Sequence, residues 1–264
     1  MGVLNVTPDS FSDGGQLLSN EGLFYDRLLE RASQMVADGA SILDIGGEST
    51  RPGAAPVSTQ EELDRVMGAV QLIGPRIDVI LSIDTSTPEV IREAAQAGAG
   101  LLNDVRALSR EGAMAAAVAS NLPVSLMHMS DEPHRMQEQT DYDDVVTDVK
   151  VFLEHRIKVC VEAGIKNDQV MIDPGFGFGK TVAQNYEMLR RLEEFASFHL
   201  PILVGVSRKS MIGAITGRPA SERVVPSAVL AVMAASRGAS VIRVHDVAET
   251  ADALAVWRAT EREL

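Results

Sequence analysis

The sequence predicts one closed barrel of eight parallel strands and eight helical segments, and three observations carry that expectation. A helix–glycine–strand unit recurs along the chain, strand and helix patterns alternate eight times, and the strands are apolar throughout instead of alternating with polar residues. The recurring unit reads Ala37-Asp38-Gly39-Ala40-Ser41-Ile42-Leu43-Asp44, then Ala97-Gly98-Ala99-Gly100-Leu101-Leu102-Asn103-Asp104. It returns as Glu162-Ala163-Gly164, followed after a short loop by Val170-Met171-Ile172-Asp173, and last as Arg237-Gly238-Ala239-Ser240-Val241-Ile242-Arg243-Val244. Glycine supplies the left-handed residue that ends a helix. The apolar run behind it is a strand covered on both faces.

Four further strands fall between these units, over Gly2–Val6, Val79–Asp84, Pro123–Met127 and Pro201–Val206. Helix starts are marked by Ser58-Thr59-Gln60-Glu61 and Asp246-Val247-Ala248-Glu249, which have the form of capping boxes, and by Thr87-Pro88, a cap followed by proline at the first helical position. Such alternation means a parallel sheet, either closed or doubly wound. Eight repeats in 264 residues favour the α/β class's closed form, the (β/α)8 TIM barrel. With no linker, low-complexity tract or charge block, residues 1–264 are expected to form a single domain.

Composition narrows the function classes. Apolar residues make up 45%, enough for a sizeable core, and aromatics only 4%. A net charge of −13 argues against general binding to nucleic acid or anionic membranes, though it leaves room for a small basic pocket. One cysteine, Cys160, cannot staple the chain and reads as a buried thiol in a reducing compartment. No apolar run approaches a membrane span, and Met1-Gly2-Val3-Leu4-Asn5 does not have the form of a signal peptide, so a cytoplasmic protein is expected.

In a barrel of this kind, polar residues just past the carboxyl ends of the strands face the active site. Here the strands run in order into Asn5, Asp44, Asp84, Asn103-Asp104, His128, Asp173, Ser207-Arg208-Lys209-Ser210 and Arg243-Val244-His245-Asp246. Singly, Asp44, Asp104 and Asp246 read as caps or turn formers, and His128, between Met127 and Met129, as a packed histidine. Together, eight such ends on one rim need partners or a ligand. Asp84, Asn103 and Asp173 suit an N–H-rich heterocycle, because a carboxylate can accept two parallel N–H bonds from a 2-amino-pyrimidinone edge. Arg51, Arg243 and His245, beside Asn5, suit a phosphate or diphosphate, and the Asn5 amide oxygen could ligate Mg²⁺. Gly179-Lys180-Thr181 ends like a P-loop, but Pro174 stands where that pattern needs its first glycine and offers no N–H to a phosphate. Two long loops, Thr7–Asn20 and Gly46–Ser58, carry Phe11, Arg51 and Pro52 and read as lids.

Taken together, Met1–Gly15, Gly46–Gly53, Ile83–Ser86, Leu102–Asp104, Asp173–Lys180, Ser207–Ser210 and Arg243–Asp246 closely resemble the dihydropteroate synthases of bacterial folate biosynthesis, the targets of sulfonamide drugs. The similarity covers the whole chain. It implies condensation of para-aminobenzoate with 6-hydroxymethyl-7,8-dihydropterin diphosphate, giving 7,8-dihydropteroate and diphosphate. By the same resemblance Asp84, Asn103 and Asp173 would hold the pterin, with Lys209 reaching its carbonyl and ring nitrogen. Arg51, Arg243 and His245 would bind diphosphate, Asn5 would anchor Mg²⁺, and Thr50 and the main chain near Val244 would add contacts. Phe11, Pro52, Phe178 and Ser210 would form the para-aminobenzoate pocket. Members of that family commonly carry a short segment before the first strand, whereas this sequence opens inside it, which would bear on the covering of the barrel bottom and not on the site. A pterin-binding barrel that only hands on a methyl group would have no use for the Ser-Arg-Lys-Ser and Arg-Val-His-Asp runs. Finally, the helix around Pro226–Arg237 is apolar on nearly every side, and both this and the resemblance point to a homodimer.

Overall fold

The structure, a computed structural model, describes residues 1–7, 21–48, 57–131, 135–136 and 140–261. Phe11, Thr50, Arg51 and Pro52, and with them most of both long loops, lie outside the described residues.

Among the described residues, eight parallel strands close into a barrel. They are β1 (Gly2–Asn5), β2 (Ile42–Gly46), β3 (Ile80–Asp84), β4 (Leu101–Asp104), β5 (Val124–Met127), β6 (Val170–Asp173), β7 (Leu203–Val204) and β8 (Val241–Ile242). Strands β1 to β6 pair in chain order and β7 pairs with β8. Single bridges complete the ring, Ile172 to Ile202 on one side and Gly2 to Val244 on the other. Strand β7 is shorter than the predicted Pro201–Val206, since Pro201 has no N–H to give the ladder. The helices are α1 (Glu21–Ala37), α2 (Thr59–Ile73), α3 (Pro88–Gln96), α4 (Ala113–Ser120), α5 (Val145–Ala163), α6 (Val182–Arg190), α7 (Ser210–Thr216), α8 (Val224–Ala235) and α9 (Val247–Glu261). Each strand is followed by a helix, as the alternation implied, with two between β7 and β8.

The four glycines of the repeat, Gly39, Gly98, Gly164 and Gly238, all have φ between 95° and 112°. That left-handed turn ends each helix and feeds the chain into a strand. The strands then alternate between two hydrophobic environments. Leu43, Ile45, Ile83, Leu102, Val124, Leu126 and Ile172 face outward and join helix residues such as Leu28, Val66, Ile91 and Leu153 in one core. Leu101, Met171 and Leu203 face inward, where Met1 and Val241 pack against them and fill the barrel bottom. Two apolar faces explain why the strands read as unbroken apolar runs.

Three of the predicted helix starts take a different form. Ser58 caps α2 by accepting from the Glu61 N–H at 3.2 Å, but the Glu61 carboxylate pairs with Arg65 instead of returning to Ser58. Pro88 opens α3 as expected, while the Thr87 hydroxyl donates to Glu62 at 2.5 Å and does not cap. The Asp246 carboxylate receives the half-buried Arg208 guanidinium, Nε at 2.9 Å, a charged forked donor being the stronger claim on it than a helix end. A reciprocal box that the sequence reading passed over, Thr181 with Gln184, opens α6. Its Thr-x-x-Gln spacing was legible behind the P-loop decoy.

Candidate active site

Register brings two of the three predicted heterocycle residues, Asp84 and Asn103, to one level with Asn5. Asn5 pairs with Gly46, Gly46 with Asp84, Asp84 with Asn103 and Asn103 with Ser125, a row that crosses five neighbouring strands. Asp173 stands one step higher, paired with Met127. Residues paired in a parallel sheet face the same side, and the Asn103 side chain reaches Asp44 across the interior, so the row lines the inside of the barrel. Gly46 keeps the row open. A Cβ there would meet Asn5 Oδ1 and the Asp84 Cβ, each at 3.5 Å.

Arg243 joins the two halves that the sequence suggested. Its Nε donates to Asp44 Oδ2 at 2.6 Å and its Nη2 to Asp84 Oδ2 at 2.8 Å. Asp44 is therefore not a cap or turn former. It is fully buried inside the barrel, where it also accepts from Ser82 Oγ at 2.5 Å and Asn103 Nδ2 at 3.1 Å. A carboxylate stripped of water needs that many hydrogen-bond donors in its place. Burial alone would make Arg243 less basic, but Asp44 and Asp84 outweigh it and hold the guanidinium charged. Burial pushes Asp84 above the usual carboxylate range, with Arg243 opposing. Asp104, by contrast, is the predicted turn former, accepting from the Arg106 and Leu108 N–H groups at 2.8 and 2.9 Å.

The loop after β6 holds the third carboxylate. Burial raises Asp173, against the pull of Lys209, and its Oδ1 accepts the Gly175 N–H at 2.7 Å. Gly175 has φ 74°, and a Cβ there would stand 1.8 Å from the His128 carbonyl oxygen, so no other residue fits that turn. Lys180 clamps the same loop. Its buried ammonium lies 2.9 Å from His128 Nδ1 and donates to the carbonyls of Gly175 and Phe178 at 2.9 and 3.0 Å. Lys180 thus cradles no phosphate, and burial draws it down to about 7. His128 is packed, as expected, edge-on against Phe152 and driven down to about 2 by burial and the neighbouring Lys180. Cys160 is a buried free thiol pushed up to about 11 by burial.

Lys209 sits opposite Asp173. Its ammonium bonds the Phe176 carbonyl and lies 4.6 Å from the centre of the Phe178 ring. Burial lowers it to about 8, with Asp173 pulling the other way. Phe178 is half-buried beside it, and Ser210 is exposed at the start of α7. His245 is oriented by Ser207, whose Oγ lies 3.0 Å from its Nδ1 and 3.2 Å from its backbone N. The Val244 main chain closes the ring instead of facing the rim, donating to Met1 at 2.9 Å and accepting from Val3 at 2.8 Å. Glu62 escaped the sequence reading. It is buried on α2 and accepts the Thr85 and Thr87 hydroxyls at 2.5 Å each, fixing the turn that follows Asp84. Nothing in a helical Glu-Glu pair distinguishes that role. Asp44, however, carried a signal, as a charged residue in mid-strand among apolar neighbours.

The sequence matches the family described as pterin binding enzyme over residues 1–245. It is 52% identical over 260 residues to the dihydropteroate synthase of Escherichia coli K12, covering 98% of this chain and 90% of that protein. To the Haemophilus influenzae dihydropteroate synthase it is 49% identical, covering 98% and 93%. Among solved structures, the Yersinia pestis dihydropteroate synthase in a sulfonamide drug complex superimposes with a TM-score of 0.93 at 52% identity, covering 99% of this chain and 93% of that one. The Xanthomonas albilineans dihydropteroate synthase with 4-aminobenzoic acid gives 0.92 at 44% identity, covering 100% and 93%.

Proposed function

The chain belongs to the dihydropteroate synthases of the pterin-binding enzyme family, and on that premise we propose how its rim divides the work. The reaction is a transfer. A C–O bond between the pterin methylene and diphosphate breaks, a C–N bond to para-aminobenzoate forms, and the aniline nitrogen gives up a proton.

Asp84, Asn103 and Asp173 hold the pterin, the carboxylates accepting its paired N–H groups. Lys209 turns from the Phe176 carbonyl to the pterin carbonyl and ring nitrogen, close enough to Asp173 to share the ligand. Arg243 and His245, with Arg51 and Thr50 from the loop after β2, take the diphosphate. As that group departs, positive charge develops on the pterin methylene and spreads into the ring. Fixed cations at the leaving group stabilise this charge separation without reorganising. The weakly basic aniline nitrogen then attacks, and no covalent enzyme intermediate is needed. Phe178 and Ser210, with Phe11 and Pro52, form the para-aminobenzoate pocket.

Mg²⁺ completes this reading through the Asn5 amide oxygen. Among the described residues no three His, Cys, Asp or Glu side chains gather as a metal cluster. One neutral oxygen donor on the rim fits an ion whose remaining ligands are phosphate oxygens and water. When bound, Mg²⁺ would supply further positive charge against the departing diphosphate.

Residues 1–264 would act as a single pterin-binding domain and as a homodimer in the cytoplasm, with its one thiol reduced. Helix α8 supports the dimer. It buries Ala228, Leu230, Ala231 and Ala234 inward, yet leaves Val225 and Val229 exposed by 73% and 53% one turn apart. Among the described residues no helix is long and apolar enough to cross a membrane.

The observation that carries the reading is the single interior row of Asn5, Asp84 and Asn103, bound through Arg243 to Asp44. Diphosphate release from 6-hydroxymethyl-7,8-dihydropterin diphosphate, measured with and without para-aminobenzoate, tests it. Release that depends on para-aminobenzoate and yields dihydropteroate is expected, and release indifferent to it would overturn the reading.

A further inference from the structure

We propose that Ser125 is an additional ligand-binding residue, whose hydroxyl hydrogen-bonds the heterocycle seated between Asn103 and Asp173. The inference rests on the reading of this pocket as a pterin site and names a contact within it.

Ser125 lies on β5, in register with Asn103 on β4 and Met171 on β6. Val124 and Leu126 on either side belong to the outer core, and Met171 to the inner cluster, so Ser125 faces the barrel interior. Its exposure is 0%, and its Oγ is the one fully buried side-chain nitrogen or oxygen among the described residues with no hydrogen-bond partner. The buried polar side chains of the neighbouring strands are engaged. On β4 Asn103 donates to Asp44, on β3 Asp84 accepts from Arg243, and Ser82, one layer lower on β3 and equally buried, donates to Asp44. A hydroxyl desolvated without a partner is a standing cost to the folded state. Such a cost persists where a bound group offsets it.

The ligand that would offset it is polar, planar and shared with the neighbouring strands. A ring nitrogen or exocyclic group held by Asn103 on one side and Asp173 on the other must cross β5, which lies between their strands. Met127 stands two residues further on the same face, between Ser125 and the rim, with 3% exposure. Its unbranched thioether has three soft torsions and can swing aside as the ring enters.

The test is calorimetric titration of the wild-type chain, Ser125→Ala and Ser125→Cys with 6-hydroxymethylpterin, alongside thermal unfolding without ligand. Loss of one hydrogen bond should weaken pterin binding about five- to tenfold in Ser125→Ala, and less in Ser125→Cys, whose thiol is a weak donor. The unliganded melting temperature of Ser125→Ala should equal or exceed that of the wild type, because the stranded hydroxyl is gone. Wild-type affinity in Ser125→Ala would overturn the inference, and with a lowered melting temperature it would assign the hydroxyl to a structural water. Should Ser125→Ala fail to fold, wild-type affinity in Ser125→Cys overturns it instead. A wild-type chain that binds no pterin would overturn the pocket itself, a separate result from equal binding by both.

Discussion

Arg243 and Asp44 are 199 residues apart in the chain and meet inside the barrel, Nε to Oδ2 at 2.6 Å. The pair links the last strand to the second, and through Nη2 to Asp84 it reaches the third. A guanidinium fixed at two carboxylates has one orientation, so its remaining N–H groups keep a fixed aim toward the rim. Removing one partner should show what that is worth. Asp44→Asn keeps an acceptor but loses the charge, and Asp84 still holds the arginine, so we expect about 2–3 kcal/mol of destabilisation, below the full loss of a buried pair. Activity should fall as well, because Arg243 would lose its charged anchor at Nε and with it the fixed aim toward the diphosphate. Urea unfolding measures the first and diphosphate release the second. A stability change under about 0.5 kcal/mol would mean the pair contributes nothing beyond a neutral contact.

Asp44 also marks how far the sequence could be read. The barrel was legible because its repeat is local, with a glycine to end each helix and an apolar run to follow, and each of those glycines does sit at positive φ. Which polar residues share the rim was legible for the same reason, since strand ends converge in any such barrel. Partnership was not. Arg243 reaching Asp44 depends on ring closure, and Thr87 turning to Glu62 and Asp246 taking Arg208 depend on how neighbouring strand–helix units pack, none of which leaves a trace in local spacing. Ser125 was invisible for a related reason. A serine inside an apolar strand looks like any small core residue until its neighbours are known to leave it unpaired.

Asp173→Asn tests the pterin pocket. The change preserves shape and the contact to the Gly175 N–H can survive through the remaining oxygen. It turns one acceptor into a donor facing the pterin's own N–H groups, a cost of about 2–4 kcal/mol in binding. Calorimetry returning wild-type pterin affinity would remove Asp173 from the site.

Gly175→Ala should be far more damaging than its size suggests. The new methyl would stand 1.8 Å from the His128 carbonyl at a φ of 74°, so the loop must move, and Asp173 loses its Gly175 N–H with it. We expect at least about 2 kcal/mol of destabilisation together with weaker pterin binding. A variant with wild-type melting and affinity would show that the turn is not needed to place Asp173.

Val229→Asp addresses association. The residue is 53% exposed on α8, so the monomer should tolerate a carboxylate with little change, while a dimer burying that face should not. Light scattering at micromolar concentration should give a dimer mass for the wild type and a monomer mass for the variant. A wild-type monomer would overturn the proposal.

The His128–Lys180 contact predicts an acid-sensitive fold. His128 titrates near 6.5 in an unfolded chain, but burial and Lys180 hold it near 2 in the fold, so the folded state keeps it neutral. Below pH 6.5 the unfolded chain binds a proton that the folded chain does not, and stability falls as pH falls, by up to about 1.4 kcal/mol per pH unit for this one group. Lys180 adds the same sign at higher pH. Drawn down to about 7 in the fold, it leaves the folded chain with fewer protons above that value, and its contribution is lost as pH drops toward 7. His128→Asn separates the two, because an amide oxygen can still accept from the Lys180 ammonium yet cannot titrate. The variant should be less stable near pH 8, where it forgoes the edge-on contact with Phe152. Between pH 6.5 and 4.5 its unfolding free energy should decline less steeply than that of the wild type. Urea unfolding at half-unit pH steps measures both slopes, and parallel curves would mean that His128 accepts its proton in the folded state and that the Lys180 clamp tolerates a second cation.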